Sequence, residues 1–322
     1  MFPMARGLDR PRSRPFPSGG GAGAPASPAR RLTRPEGPPP AAAPSTRWFS
    51  GTGGRGGTAA PAAWVLWAVI VGLAWLGAAP GVQAAPALTV LVYHHLEDPT
   101  TSDVSCTPAQ FAAQMEALQR AGFTPLTLPQ IRLFLAGGLP DLPNPVAITF
   151  DDGYESLYHH ALPVARRLRL PMIVFLVTSR LGRQPQFTRY LSPAQIKEMA
   201  ASGWFEFGSH THDLHTDTMR IWDAFRSTPN PLLPAVTADF AQSQARLREI
   251  LGHPAIALAW PYGKYNAQTR QAARHAGFQL HFTSRPGSNE PGSDPFGIKR
   301  LPVTARDTPE SVVRKARGSL FW

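Results

Sequence analysis

From Ala87 onward the chain alternates short apolar runs of strand length with amphipathic stretches of helical period, while residues 1 to about 60 show neither rhythm. The first run, Leu88–Tyr93, is rich in aliphatic residues and predicts a strand. Thr107, Pro108 and Gln110 then supply an N-cap, a proline at the first helical position and a capping-box partner. Phe111, Met115 and Leu118 follow at helical spacing, and Gly122 stops the helix. Ser192, Pro193 and Gln195 repeat the signature, with Ile196 and Met199 inward and Gly203 as the stop. Further strands are expected at Val146–Phe150, Met172–Val177, Phe205–Phe207, Ala255–Trp260 and Gln279–Thr283. Between them, helices are expected at about Ser156–Leu168, Ala238–Leu251 and Asn266–His275, and Thr308 opens a last one before Pro309 and Glu310. The stretch Thr216–Val236 holds several prolines and weak periodicity, which predicts a long loop near the key histidines. Strand then helix, repeated, predicts an α/β fold of parallel strands with crossover helices, in a barrel or an open sheet.

Composition divides the chain into three parts. Residues 1–60, dominated by Pro, Gly, Ala, Ser and Arg, cannot bury enough apolar surface to offset their ordering entropy and are expected to be a disordered leader. Residues 61–85 contain the uncharged run Ala62–Ala79 followed by small residues at Val82, Ala84 and Ala85, the pattern of a signal peptide. The run is also near the lower length limit for a membrane span, so a retained anchor through residues 62–79 is the second reading. A buried core helix is the third, but a helix apolar on every side needs wrapping on every side. The leader is far longer than an ordinary charged n-region, as an over-extended gene start would make it. Residues 86–322 suffice for one sizeable core and are short for two.

Charge follows the same division. Residues 1–85 hold nine arginines against Asp9 and Glu36, a net +7 of the chain's +11, so the folded part carries only +4. A basic tail suits nucleic acid or acidic lipid. Placed just before an apolar run, it reads instead as positive charge kept on the cytoplasmic side. Export is therefore expected, to the periplasm or to the outer face of the cytoplasmic membrane, with no nucleic-acid partner. Cys106 is the only cysteine, which excludes an intrachain disulfide and a multi-cysteine metal site, and no function is assigned to it.

Three segments carry chemistry, each at the carboxyl end of a predicted strand, where sites assemble in parallel α/β folds. Asp151 and Asp152 end an apolar strand before Gly153. Adjacent carboxylates repel unless something cationic compensates, and their side chains point in different directions, so one can be a metal ligand and the other a base. The plain alternative is an Asp-Gly turn. His210, His212 and His215 fall within six residues after Phe207. Two histidines with one aspartate make a three-ligand metal site with open positions; a solvated loop is the alternative, and His212 is either a bystander or an outer support. Ala259–Tyr265, with Pro261, Tyr262 and Gly263 at its centre, forms either a rigid aromatic rim able to stack a sugar face or an ordinary strand-to-loop turn.

Together these segments resemble the polysaccharide deacetylase family (carbohydrate esterase family 4, the NodB-like homology domain), over about Val90 to Arg317. Thr149-Phe150-Asp151-Asp152-Gly153 is similar to the family's first and most specific motif. The resemblance implies a distorted, incomplete (β/α) barrel. It implies Asp151 as general base, and Asp152, His210 and His215 as ligands of a divalent metal, usually zinc, with nickel, cobalt or iron as alternatives. Tyr262 would supply a backbone N–H to the oxyanion.

Three departures stand out. His210 and His215 lie five apart instead of the family's usual four. The arginine that commonly precedes the third motif and braces the base is missing, Ala259 and Trp260 standing there. No Leu-x-His motif, the usual source of the general acid, follows near the C-terminus, and His281 is expected within a strand. These departures resemble the poly-β-1,6-N-acetyl-D-glucosamine N-deacetylases of biofilm exopolysaccharide systems, in which the acid histidine comes from the first strand. That makes His94 the candidate acid, with outer support of the site as its other reading.

The expected reaction is metal-dependent hydrolysis of N-acetyl groups on an amino-sugar polysaccharide, with exopolysaccharide synthesis and export machinery as partners. The rival readings are a deacetylase of chitin oligomers or peptidoglycan, an O-acetyl esterase, a non-haem iron oxygenase and a non-catalytic metal-dependent glycan-binding module.

Overall fold

A computed structural model describes residues 86–139, 142–185, 188–215 and 229–318. The expected leader (1–60), the apolar run Ala62–Ala79 and most of the expected loop from Thr216 lie outside the described residues. Among those described, no helix is long and apolar enough to cross a membrane.

Eight parallel strands run in the order β7-β6-β5-β4-β3-β1-β8, with the short β2 beside β3. They are β1 (Thr89–Tyr93), β2 (Thr124–Pro125), β3 (Pro145–Phe150), β4 (Met172–Leu176), β5 (Phe205–Ser209), β6 (Ala257–Ala259), β7 (Leu280–Phe282) and β8 (Leu301–Pro302). The helices are α1 (Pro108–Arg120), α2 (Leu128–Leu135), α3 (Leu162–Leu168, entered through a π-helical turn at Leu157–Ala161), α4 (Pro193–Ala201), α5 (Leu233–Leu251), α6 (Ala267–His275) and α7 (Pro309–Ala316).

The sheet curls until its two edges nearly meet. Ile298 bridges to Phe282 on β7, and three residues on, Leu301 pairs with Leu91 on β1. Only a single bridge and a two-residue strand of the segment 298–302 join the two edges, so the sheet is the distorted, incomplete barrel expected.

Strand alternation divides the core in two, because successive side chains point to opposite faces. Leu91, Tyr93, Ile148, Phe150, Val174 and Phe207 pack outward against α1, α3, α4 and α5. Val90, Ala147, Ile173, Phe175, Ala257, Ala259, Leu280 and Phe282 face inward, joined by Leu128, Ile131, Phe134 and Leu135 of α2. That helix plugs the amino end of the barrel, where its Leu128 N–H donates to Glu206 at the start of β5, at 2.5 Å.

Several expectations are corrected. α2 was not foreseen, although Thr127 and Gln130 form the same reciprocal capping box as Thr107/Gln110 and Ser192/Gln195. β2 and β8, at two residues each, are too short to show a period. α5 begins at Leu233, not Ala238, so the end of the expected loop is helical. The strand expected at Ala255–Trp260 pairs only over Ala257–Ala259. His281 lies within β7, fully buried, as expected.

Candidate metal centre and active site

The same alternation, carried past the strand ends, aims the site residues. Inward-facing Val90 and Val92 lead to His94; Ala147 and Thr149 lead to Asp151; Glu206 and Gly208 lead to His210. Three strands thus deliver a histidine, a carboxylate and a histidine to one opening at the carboxyl end. A cavity of about 400 Å³ there is lined by His94, Asp151, Asp152, His210, His215, Tyr262 and Arg300, with Val92, Val104, Ser284 and Pro302 around them.

The backbone leaves ordinary conformations where it turns into this cavity. Asp152 (φ 70°), Thr211 (φ 72°) and Tyr262 (φ 55°) are left-handed without being glycine. Such residues cost energy and persist where surrounding contacts hold them. Gly153 (φ 81°) completes the first turn, and a Cβ on it would come within 2.6 Å of Leu176.

The left-handed turn sends the two adjacent aspartates to different partners. Asp151 faces Arg300, which donates from Nη1 to Oδ1 and from Nη2 to Oδ2, each at 2.7 Å. Both residues are almost wholly buried, and Arg300 is fixed further by its Nε bond to the Thr283 carbonyl, 2.9 Å, and by the Phe175 ring below it. Burial alone would raise the Asp151 carboxyl; the Arg300 guanidinium, then His210, more than offset this and hold it well below its ordinary value. Arg300 is the brace that the sequence lacked at Ala259 and Trp260. It comes from the barrel-closing segment instead, and no local pattern marked it.

Asp152 turns to the histidines. His215 Nε2 is 3.2 Å and His210 Nε2 3.8 Å from its Oδ1, and the ligand atoms of the three all lie within 4.8 Å of one another. Burial pushes the Asp152 carboxyl up, but His215 and His210 bring it below its ordinary value. Burial also lowers His210 to about 4, so its ring is neutral. Its Nδ1 lies 2.8 Å from the Ala259 carbonyl and must donate there, which leaves the Nε2 lone pair facing Asp152. Asp152 Oδ1 is buried with no hydrogen-bond partner. A bare carboxylate oxygen between two imidazole nitrogens is the environment a divalent cation completes, and these residues fit one.

The remaining candidates fall as follows. His94 lines the cavity close enough to both carboxylates to lower them, and its Nδ1 is buried without a partner. Tyr262 stands at the mouth, 39% exposed, with its ring 4.9 Å from that of His215. His212 turns away to the Thr178 hydroxyl, 2.9 Å from its Nδ1, so it supports the loop and is not a ligand. Cys106 is buried, and desolvation raises its thiol to about 12, consistent with no role. Tyr154, next to the motif, was not singled out from the sequence; its hydroxyl interacts with Asp152 and is raised first by burial and then by that carboxylate.

Comparisons with known proteins agree with this geometry. A family model described as polysaccharide deacetylase matches residues 140–281. The poly-beta-1,6-N-acetyl-D-glucosamine N-deacetylase of Staphylococcus epidermidis is 29% identical over 220 residues, covering 66% of this chain and 73% of that one. The protein of the same name from Staphylococcus aureus is 25% identical over 243 residues, covering 74% and 80%. Among solved structures, IcaB from Ammonifex degensii is 32% identical with a TM-score of 0.62, over 73% of this chain and 97% of that one.

Proposed function

The chain belongs to the polysaccharide deacetylase family, and from that premise we propose that it removes N-acetyl groups from a poly-β-1,6-N-acetyl-D-glucosamine of a biofilm matrix. The observation that carries the proposal is the division of labour between adjacent aspartates: Asp151 is paired with Arg300, and Asp152 with His210 and His215. The names of the staphylococcal relatives support the substrate.

Asp152, His210 and His215 would hold a divalent cation, most simply zinc, with nickel, cobalt or iron as alternatives. When bound, it supplies a water of lowered pKa and polarises the acetyl carbonyl. Asp151, ionised and oriented by Arg300, takes the proton of the attacking water at its carboxylate. The same pairing makes it a weak base, so its contribution is position and charge more than basicity. The Tyr262 backbone N–H donates to the carbonyl oxygen as that oxygen gains negative charge. His94 gives its proton to the departing nitrogen, since an amide anion is too poor a leaving group. The products are acetate and a glucosamine unit that is cationic at neutral pH. The exposed Tyr262 ring offers a face on which a sugar can stack.

We also propose that the protein acts outside the cytoplasm, in the periplasm or anchored to the outer face of the cytoplasmic membrane, beside exopolysaccharide synthesis and export machinery. The basic leader followed by the apolar run Ala62–Ala79 and small residues supports this.

The test is release of free amines from β-1,6-linked and from chitin oligomers, with zinc, nickel or cobalt added in turn. Metal-dependent release from the β-1,6 oligomers alone is expected. Preference for chitin overturns the substrate and keeps the chemistry. Asp151→Asn is expected to lower kcat by roughly 100- to 10,000-fold, the usual contribution of a positioned base. Near-full turnover with metal still bound would remove Asp151 from the reaction.

A further inference from the structure

Between His210 and His215 the backbone makes a turn that its own residues do not hold. The left-handed Thr211 directs the successive amides of His212 and Asp213 toward α5. Both find the same acceptor, the Asp239 carboxylate: Oδ1 takes the His212 N–H at 2.7 Å and Oδ2 the Asp213 N–H at 2.7 Å. Asp239 is buried, so water does not substitute for it. One turn further along α5, Ser243 Oγ lies 2.7 Å from Ser209 Oγ, which accepts the Thr211 N–H at 2.9 Å. The other end of the segment is gripped from the loop after β4. There Arg180 donates from Nη2 to the His215 carbonyl at 2.5 Å and from Nη1 to the Tyr190 hydroxyl at 2.9 Å.

We propose that Asp239 and Arg180 are positioning residues that act through this segment, a carboxylate on its amides and a guanidinium on its last carbonyl, setting where His210 and His215 present their Nε2 atoms. The inference rests on the reading of Asp152, His210 and His215 as a metal centre. Four residues separate the two histidines, and a span of that length has many conformations in which the rings diverge. A single carboxylate that accepts two consecutive amides leaves few of them. Asparagine at position 239 has one acceptor oxygen and would set an N–H₂ against an N–H, so the substitution is isosteric but breaks the grip. Arg180→Ala releases the other end from a half-buried position that tolerates truncation. Partners of this outer kind govern ligand orientation and metal affinity.

The experiment measures cobalt(II) binding to the full chain by competition with a chromophoric chelator, together with the visible spectrum of the bound ion. Asp239→Asn and Arg180→Ala are each expected to weaken binding roughly 10- to 100-fold and to alter the cobalt spectrum. Turnover should fall at limiting metal and recover at excess, with KM for the oligosaccharide unchanged. Asp239→Glu, which keeps both acceptors, should restore part of the affinity.

Unchanged cobalt affinity and spectrum with a lowered melting temperature would make Asp239 a plain structural tie and overturn the proposal. Unchanged affinity with a raised KM would make Arg180 a substrate contact, and would overturn it equally. If Asp239→Asn does not fold, the Arg180→Ala outcome still decides. Failure of the metal reading itself has a different signature: the unaltered chain and its Asp152→Asn variant would bind cobalt equally weakly, and the clamp falls with it.

Discussion

At the amino end of the barrel, α2 inserts Leu128, Ile131, Phe134 and Leu135 among Val90, Ala147, Ile173 and Phe175. At the carboxyl end the same strands deliver His94, Asp151 and His210, and the closing segment delivers Arg300. The first end is held by apolar burial, which is insensitive to direction and gains with every methylene removed from water. The second end buries charge, which is tolerable only where each group meets its partner at hydrogen-bond distance. A change of shape in the plug leaves a cavity; the loss of a partner at the site leaves a buried charge uncompensated. A fold with one stable end and one preorganised end can therefore keep left-handed turns at Asp152, Thr211 and Tyr262 that would be costly on their own.

The largest break of this contrast should come from Arg300→Met. Removing one member of a buried ion pair leaves an uncompensated charge and costs about 3–5 kcal/mol. The pH dependence identifies the cause. Asp151 is held below its unfolded value, so its stabilisation is present above the ordinary carboxylate range and is lost as pH falls through the folded value. Arg300→Met removes that contribution at neutral pH, whereas in strong acid Asp151 is protonated in both proteins. Urea titrations should therefore show a stability gap that is widest at about pH 7 and narrows toward about pH 3. A gap independent of pH would assign the loss to packing instead. The acid limb of kcat/KM should also move to higher pH in the variant.

Phe134→Ala tests the other end. A fully buried phenylalanine in the plug should cost about 3–4 kcal/mol on truncation, by lost transfer energy plus the cavity left behind. Metal affinity and kcat/KM of the folded protein should stay unchanged, because Phe134 does not line the cavity. A fall in metal affinity equal to that of a site variant would show the two ends to be coupled.

The smallest expected effect sharpens the comparison by its locality. Thr127→Ala removes the side chain that caps α2 and accepts the Gln130 N–H. It should lower stability by about 1 kcal/mol, read as a shift in the denaturation midpoint. Activity should be unaffected. An effect as large as that of Phe134→Ala would mean that α2 depends on its cap more than on its apolar face.

What the sequence by itself determined is local or periodic. Apolar runs of strand length located β1, β3 and β5, and placed Asp151 and His210 at the carboxyl ends of strands. The run Asp151-Asp152-Gly153 and the histidines after Phe207 were legible because their neighbours in space are also neighbours along the chain. The helices at Thr107 and Ser192 announced themselves by capping boxes, and Thr127 with Gln130 carries the same sign at the start of α2. Tertiary structure alone decided the rest. Arg300 meets Asp151 across 149 residues of sequence, from a segment whose strand is two residues long, so no period pointed to it. Asp239 looks like any polar residue of an amphipathic helix until the fold sets it beneath the amides of His212 and Asp213. Ion pairs and hydrogen bonds depend on distance and direction in space, and those quantities do not exist along a chain until it has folded.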